Sequence, residues 1–265
     1  MSRTVNSLLN YIGSKARVVG RLCTHFPIDL PKYEYREPMI GGGSVLLGLA
    51  KNGLKPQVVR IGDMNPVVYE IWYRALYSTK ELIEDVDNAL KSISSLSGMD
   101  SRLNYLDKYV DPIIKEIILN RVRQYGNYGE IIEHRMNKAC EVGIDLEERV
   151  LNLHTLLKGS TVQVLNKHYE WALTQESLDG RPVLVFLDPP YYKVYDKNGY
   201  YGEFHKNFDY SELLHLLRIT EHKFIMTIDN SPEMGALFKE FNCKLLPVPY
   251  SMSKKTVDEL LVTNF

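Results

Sequence analysis

The tetrapeptide Asp188-Pro189-Pro190-Tyr191 follows the apolar run Val183-Leu184-Val185-Phe186-Leu187, and few chemistries ask for that combination. An unbroken run rich in Val and Leu, stopped by a polar residue and two prolines, predicts a buried parallel strand ending at its carboxyl edge. That edge is where open α/β sheets bind ligands. Two successive prolines remove two backbone donors and fix φ, which leaves a stiff turn rich in acceptors: the carbonyls and the Asp188 carboxylate. Acceptors suit an amine donor. Tyr191 adds a flat aromatic face, suited to stacking a base taken out of a duplex. The turn could therefore support chemistry at the exocyclic amine of a base. An Asp-Pro-Pro turn can also do no more than end a strand, so the weight rests on the rest of the chain.

A second set of residues suits a nucleoside. Gly41-Gly42-Gly43 stands between an extended piece at 34–38 and an apolar, helix-compatible stretch at 44–51. A glycine turn between strand and helix lets a ligand approach the backbone and aims helix N-terminal amides at it. The triplet lacks the spaced Gly-x-Gly-x-x-Gly pattern, and a flexible loop would explain it as well. Asp63 lies about twenty residues beyond Gly43, at the end of the next strand pattern, where an acid can take both hydroxyls of a ribose. It could equally be a turn residue in Asp63-Met64-Asn65-Pro66.

These residues need a sheet edge to hold them. Strand patterns fall at 57–61, 161–165, 183–187, 224–228, 244–248 and 259–263, and helical stretches at 67–77, 210–220 and 232–241 alternate with them. Such alternation predicts an α/β sheet with helices on both faces. Ser14 is placed to cap one amphipathic helix over 14–26, with Val18, Val19, Leu22, Cys23 and Phe26 at helical spacing. From 78 to 158 the chain is helical by period with no convincing strand, which predicts a helical insertion.

Composition narrows the class. The 265 residues are 45% hydrophobic and 25% charged, ordinary for a globular chain with a sizeable core. No run has the length and apolarity of a membrane span, and residues 1–20 do not read as a secretory leader. The three cysteines, Cys23, Cys140 and Cys243, are far apart. That spacing suggests neither a disulfide framework nor a zinc site, so a reducing, cytoplasmic setting and no metal are expected. The formal net charge is −1, so composition does not announce a nucleic-acid binder. Residues 1–28 contain no acid, and Arg3 and Arg17 remain candidate phosphate contacts, whereas Arg21 reads as a solvated residue.

Taken in order, Tyr11-Ile12-Gly13-Ser14-Lys15, Glu37-Pro38-Met39-Ile40-Gly41-Gly42-Gly43, Asp63-Met64-Asn65-Pro66 and Asp188-Pro189-Pro190-Tyr191 resemble the motifs of the Dam-like (D12 class) DNA adenine-N6 methyltransferases. The resemblance implies a Rossmann-like S-adenosylmethionine-dependent methyltransferase sheet, formed by residues 1–79 and 158–265. Residues 80–157 would be the inserted helical target-recognition domain. It implies that Tyr11, Lys15, Met39, Gly41, Gly43, Asp63, His168, Tyr169 and Asp188 bind S-adenosylmethionine. Asp188, Pro189 and Tyr191 would act on a flipped-out adenine in double-stranded DNA. Met39 stands where the family usually has Phe. At 166–169 the chain has Asn-Lys-His-Tyr where many members carry an Asp-Phe pair. Arg121, Arg123, Gln124, Tyr125, Asn127 and Tyr128 are of types that read bases, although arginines on a helix are more often solvated. A monomer is expected, with a restriction endonuclease as a candidate functional partner. Cytosine-N4 methylation, an RNA or protein amide substrate and a catalytically idle DNA-binding relative remain open.

Overall fold

The computed structural model describes residues 7–11, 13–124, 129–192, 208–249 and 256–265. Seven strands form one sheet in the order β3-β2-β1-β4-β5-β7-β6. They are β1 (Glu34–Glu37), β2 (Val58–Gly62), β3 (Thr161–Leu165), β4 (Val183–Leu187), β5 (Lys223–Asp229), β6 (Asn242–Pro249) and β7 (Thr256–Thr263). Neighbours among β1 to β5 pair in parallel, whereas β7 runs antiparallel between β5 and β6 although it is the last of these strands in sequence.

Period-two alternation sends successive side chains to opposite faces. In β4, Leu184 and Phe186 join one buried cluster while Val183, Val185 and Leu187 join the other. The first face is covered by α1 (Val19–Leu22), α2 (Ser44–Lys51), α3 (Pro66–Tyr77) and the insertion helices α4 (Thr79–Ser94), α5 (Met99–Tyr109), α6 (Pro112–Val122), α7 (Glu133–Val142) and α8 (Leu146–Leu156). The second is covered by α9 (Glu170–Thr174), α10 (Tyr210–Ile219) and α11 (Pro232–Leu237). Within α4 the buried residues Leu82, Val86, Ala89, Leu90 and Ile93 repeat every three or four positions, so one stripe is apolar. That stripe belongs to the same cluster as the sheet face. Among the described residues, no helix is long and apolar enough to cross a membrane.

β1 is polar in sequence, yet all four of its residues are buried. Arg36 donates to Glu34 at 2.6 Å and to the carbonyls of Ala172, Gln175 and Glu176. Arg60 joins Glu34, Gln163 and Gln175, with its guanidinium 4.9 Å from the Trp171 ring centroid. The backbone amide of Leu178 donates to the second Glu34 oxygen. A buried ion network of this kind ties the segment after α9 to the sheet.

Two expected helices differ from the structure. Residues 14–26 form a 3-10 turn at Lys15–Arg17, α1 and a second 3-10 turn at Cys23–His25. Ser14 does cap the first turn, accepting from the Ala16 amide. The Lys15 amide, however, donates sideways to Ser44 Oγ at 3.0 Å and its side chain runs into the core, so tertiary bonds override helical propensity. The stretch at 232–241 is helical only through Leu237, because buried Phe238 ends it before the chain enters β6.

Candidate active site

The strand order reverses between β1 and β4, and their carboxyl ends face a cavity of about 390 Å³. Such a switch point is where a doubly wound sheet binds its ligand. Tyr11, Lys15, Met39, Gly41, Asp63, His168, Tyr169, Asp188, Pro189 and Tyr191 all line it. Gly43 does not. It lies behind the loop at φ +71°, where an added Cβ would sit 2.2 Å from the Trp72 ring, so its part is packing rather than ligand contact. Gly41 is bound by closeness of another kind: its φ is +45° and a Cβ would meet the Tyr11 ring at 2.7 Å. Trp72 Nε1 donates to the Gly41 carbonyl at 2.8 Å. The glycine triplet is therefore a fitted turn.

A buried charge cluster forms the floor. Lys15 Nζ lies 2.6 and 2.7 Å from the two Asp188 oxygens and 3.7 Å from Glu259 Oε2. It also donates to the Gly13 carbonyl and to the Tyr191 hydroxyl. Thr227 donates to Asp188 Oδ1 at 2.8 Å, and the Tyr191 hydroxyl donates to Glu259 Oε1. Glu37, at the end of β1, accepts from the Tyr35 hydroxyl at 2.7 Å. Burial pushes its carboxyl up to about 8, against the pull of the Tyr35 bond. Burial also raises Glu259, with the Lys15 charge opposing. Glu37, named in the sequence only as part of a motif, and Glu259 are candidate site residues to which the sequence reading gave no role. Glu37-Pro38 repeats the acid-proline signature of Asp188-Pro189 on the adjacent strand, and that repetition was a usable signal. Glu259 is a lone inward-facing acid before an apolar strand end.

Asp63 is buried at the end of β2. Its oxygens accept from the Gly41 amide at 3.1 Å and the Asn65 amide at 2.9 Å, so it joins the glycine loop to the start of α3. Asn65, not Asp63, caps that helix. Burial pushes the Asp63 carboxyl up to about 6, opposed by those two amides. Asn166 ties the end of β3 to the same turn by donating to the carbonyls of Asp63 and Met64. Beyond it, His168, Tyr169 and Phe208 form an aromatic wall, with ring centroids 4.2 and 5.3 Å apart in succession. Phe208 and Glu212 also line the cavity and were not anticipated. Tyr210 donates its hydroxyl to the Pro190 carbonyl, which anchors the Asp-Pro-Pro turn.

The insertion holds the segment that carries Tyr11 and Lys15. Asn10 and Asn120 exchange backbone and side-chain hydrogen bonds, at 3.0 Å for the Asn10 amide on Asn120 Oδ1 and 2.9 Å for the return. Arg121 donates to the Leu8 carbonyl and Arg149 to the Ser7 carbonyl, while the Leu8 amide donates to Gly42. Arg121 is thus neither a base reader nor solvated: it is buried beside Asp145, and burial pulls its guanidinium down to about 9. Arg123 pairs with Glu116. Arg21 donates to the Pro247 carbonyl, and Arg17 is exposed. Arg3, Ile12, Tyr125, Asn127 and Tyr128 lie outside the described residues.

A parallel sheet with one antiparallel strand inserted, a glycine turn after β1, an acid after β2 and Asp-Pro-Pro-Tyr after β4 make this a methyltransferase of Rossmann-like fold. The family model of the D12 class N6 adenine-specific DNA methyltransferases matches residues 11–252, and the chain belongs to that family. No curated protein matches it. Among solved structures it is similar to HI0767 from Haemophilus influenzae, a presumed methylase, at 15% identity. The match covers 96% of this chain and 99% of that one, with a TM-score of 0.38. It is also similar to the rRNA methyltransferase aviRa from Streptomyces viridochromogenes, at 13% identity over 94% and 83% of the two chains, with a TM-score of 0.41.

Proposed function

We propose that the protein transfers a methyl group from S-adenosylmethionine to N6 of an adenine flipped out of double-stranded DNA. The observation that carries this is the placement of Asp188-Pro189-Pro190-Tyr191 across the switch point from the Gly41 turn. The cavity fits a cationic nucleoside cofactor. Glu37, Asp63 and Asp188 line it, whereas Lys15 is its only lysine or arginine among the described lining residues. When bound, the cofactor supplies an electrophilic methyl group on a sulfonium.

The chain supplies the rest. Tyr11, Lys15, Met39 and Gly41 would hold the methionine part, Asp63 the ribose, and His168 with Tyr169 the purine. Asp188 and the Pro189 carbonyl would accept the hydrogen bonds of the target amine. This withdraws its lone pair from the ring and stabilises the positive charge that develops during attack. Tyr191 would stack on the base, and holding the two partners in line supplies much of the remaining rate. In this structure Lys15 contacts both Asp188 oxygens, so the amine would share the carboxylate with that ammonium. Residues 80–157 would form the target-recognition domain, since the catalytic sheet lies wholly in 1–79 and 158–265. We place the enzyme in the cytoplasm, as a monomer, with a restriction endonuclease as a possible functional partner.

The test is transfer of labelled methyl from S-adenosylmethionine to unmethylated genomic DNA, followed by nucleoside analysis. N6-methyladenine is expected. N4-methylcytosine would keep the amine chemistry and change the base, and cofactor binding without transfer to DNA would overturn the proposal in favour of an RNA substrate or an idle relative.

A further inference from the structure

We propose that Glu212 reads the purine of the cofactor, accepting a hydrogen bond from its exocyclic amine, with His168 placed to serve the neighbouring ring nitrogen. The inference rests on the methyltransferase reading above and assigns a residue within it.

The end of the cavity beyond Asp63 is an apolar slot. Met64, 41% exposed, faces it from the β2 turn, and Tyr169 and Phe208 face it from the opposite side. Asn166 fixes the two sides relative to each other through its bonds to the Asp63 and Met64 carbonyls. A base on a ribose held at Asp63 would enter this slot, and its outer edge needs polar partners, because an unpaired donor in such a site is costly. The loop after β3, Asn166-Lys167-His168-Tyr169, offers no carboxylate. The acids lining this end are Asp209 and Glu212, both at the start of α10. Asp209 caps that helix, its Oδ1 accepting from the Ser211 amide at 2.8 Å and the Glu212 amide at 3.0 Å, which holds its carboxylate at the helix start.

Glu212 is aimed instead of capping. Its Oε2 accepts from the Tyr169 hydroxyl at 3.3 Å and lies 3.9 Å from His168 Nε2. Burial and the Glu212 charge both raise the Tyr169 phenol, so it stays protonated and remains a donor. With Oε2 engaged there and no bond to Oε1 among the described residues, Oε1 is the acceptor offered to a ligand. An adenine edge presents one donor, the amine, beside one acceptor, N1. A carboxylate next to an imidazole N–H matches that pair. A hypoxanthine edge reverses both signs and would set its carbonyl oxygen against the carboxylate.

Calorimetric titration of S-adenosylhomocysteine and S-inosylhomocysteine tests this on the wild type and on Glu212→Gln. The two ligands differ only at the purine edge. The wild type should prefer the adenosyl ligand by roughly tenfold or more, the factor expected when a buried polar group is left without its partner. Glu212→Gln, which can donate as well as accept, should erase most of that preference while thermal unfolding stays close to that of the wild type. A preference unchanged in Glu212→Gln, or absent in the wild type, would overturn the assignment and leave the methyltransferase reading standing. Failure of the wild type to bind either ligand would overturn both.

Discussion

Two buried charge clusters lie on this sheet, and they are built on different terms. Around Glu34, Arg36 and Arg60, each charge meets an opposite charge, and the remaining polar atoms are taken up by backbone carbonyls, glutamine side chains and the Leu178 amide. Around Lys15 a single ammonium serves Asp188 and Glu259, Glu37 stands nearby with its carboxyl pushed up to about 8, and the cluster opens onto a cavity. The first cluster is closed, and its bonds fix the chain. In the second, acidic groups outnumber basic ones among the described residues, which suits the cationic cofactor proposed above. Burial with incomplete compensation marks groups available for chemistry.

The comparison can be broken at several points. Asp188→Ala should give the largest effect, a loss of methyl transfer of about a hundredfold or more with the fold retained, measured as label incorporated into DNA. Near-normal turnover would remove the site from this cluster. Arg36→Ala should do the opposite, lowering stability by about 3–5 kcal/mol because it takes from buried Glu34 its shortest ion pair and from the Ala172 and Glu176 carbonyls their donor. Denaturant unfolding measures this, and activity per folded molecule should be unchanged. A third check uses acidity. Glu37 holds its proton up to about 8, whereas its ordinary value is 4.5. Between those values the unfolded chain has released a proton that the native chain keeps, so stability falls as pH rises through the window and levels off above it. Glu37→Gln should flatten the decline in unfolding temperature between about pH 6 and 8, where the slope from one such group approaches ~1.4 kcal/mol per pH unit. The smallest effect is expected for Glu259→Gln, which keeps the shape but removes the second carboxylate beside Lys15. Single-turnover methyl transfer should slow by about tenfold, or ~1.4 kcal/mol in barrier, and an unchanged rate would show the second acid to be inert.

Much of the fold was legible because it obeys short-range rules. The apolar run of β4 and the turn at its end locate a buried strand and its ligand-binding edge, and the strand-helix alternation yields the parallel sheet. What was hidden depends on residues far apart in sequence. Nothing local says that Lys15 meets Asp188, 173 positions away, or that Arg121 turns inward to the Leu8 carbonyl. β1 was legible as an extended piece, but the burial of so polar a strand was hidden for the same reason, since it is tolerable only with Arg60 and the 172–178 backbone in place. The broken helix at 15–25 shows tertiary bonds to Lys15 overriding a local pattern that favoured continuity.

The place of β7 bears on how the molecule comes into being. It follows every other described strand in sequence, yet it slots between β5 and β6 and brings Glu259 up against Tyr191 and against Lys15, the latter far upstream. Contacts of such long sequence separation form late, because the loop must be closed before they reward it. A nascent chain therefore carries the Asp188-Pro189-Pro190-Tyr191 turn well before that turn has the partners that β7 brings to it.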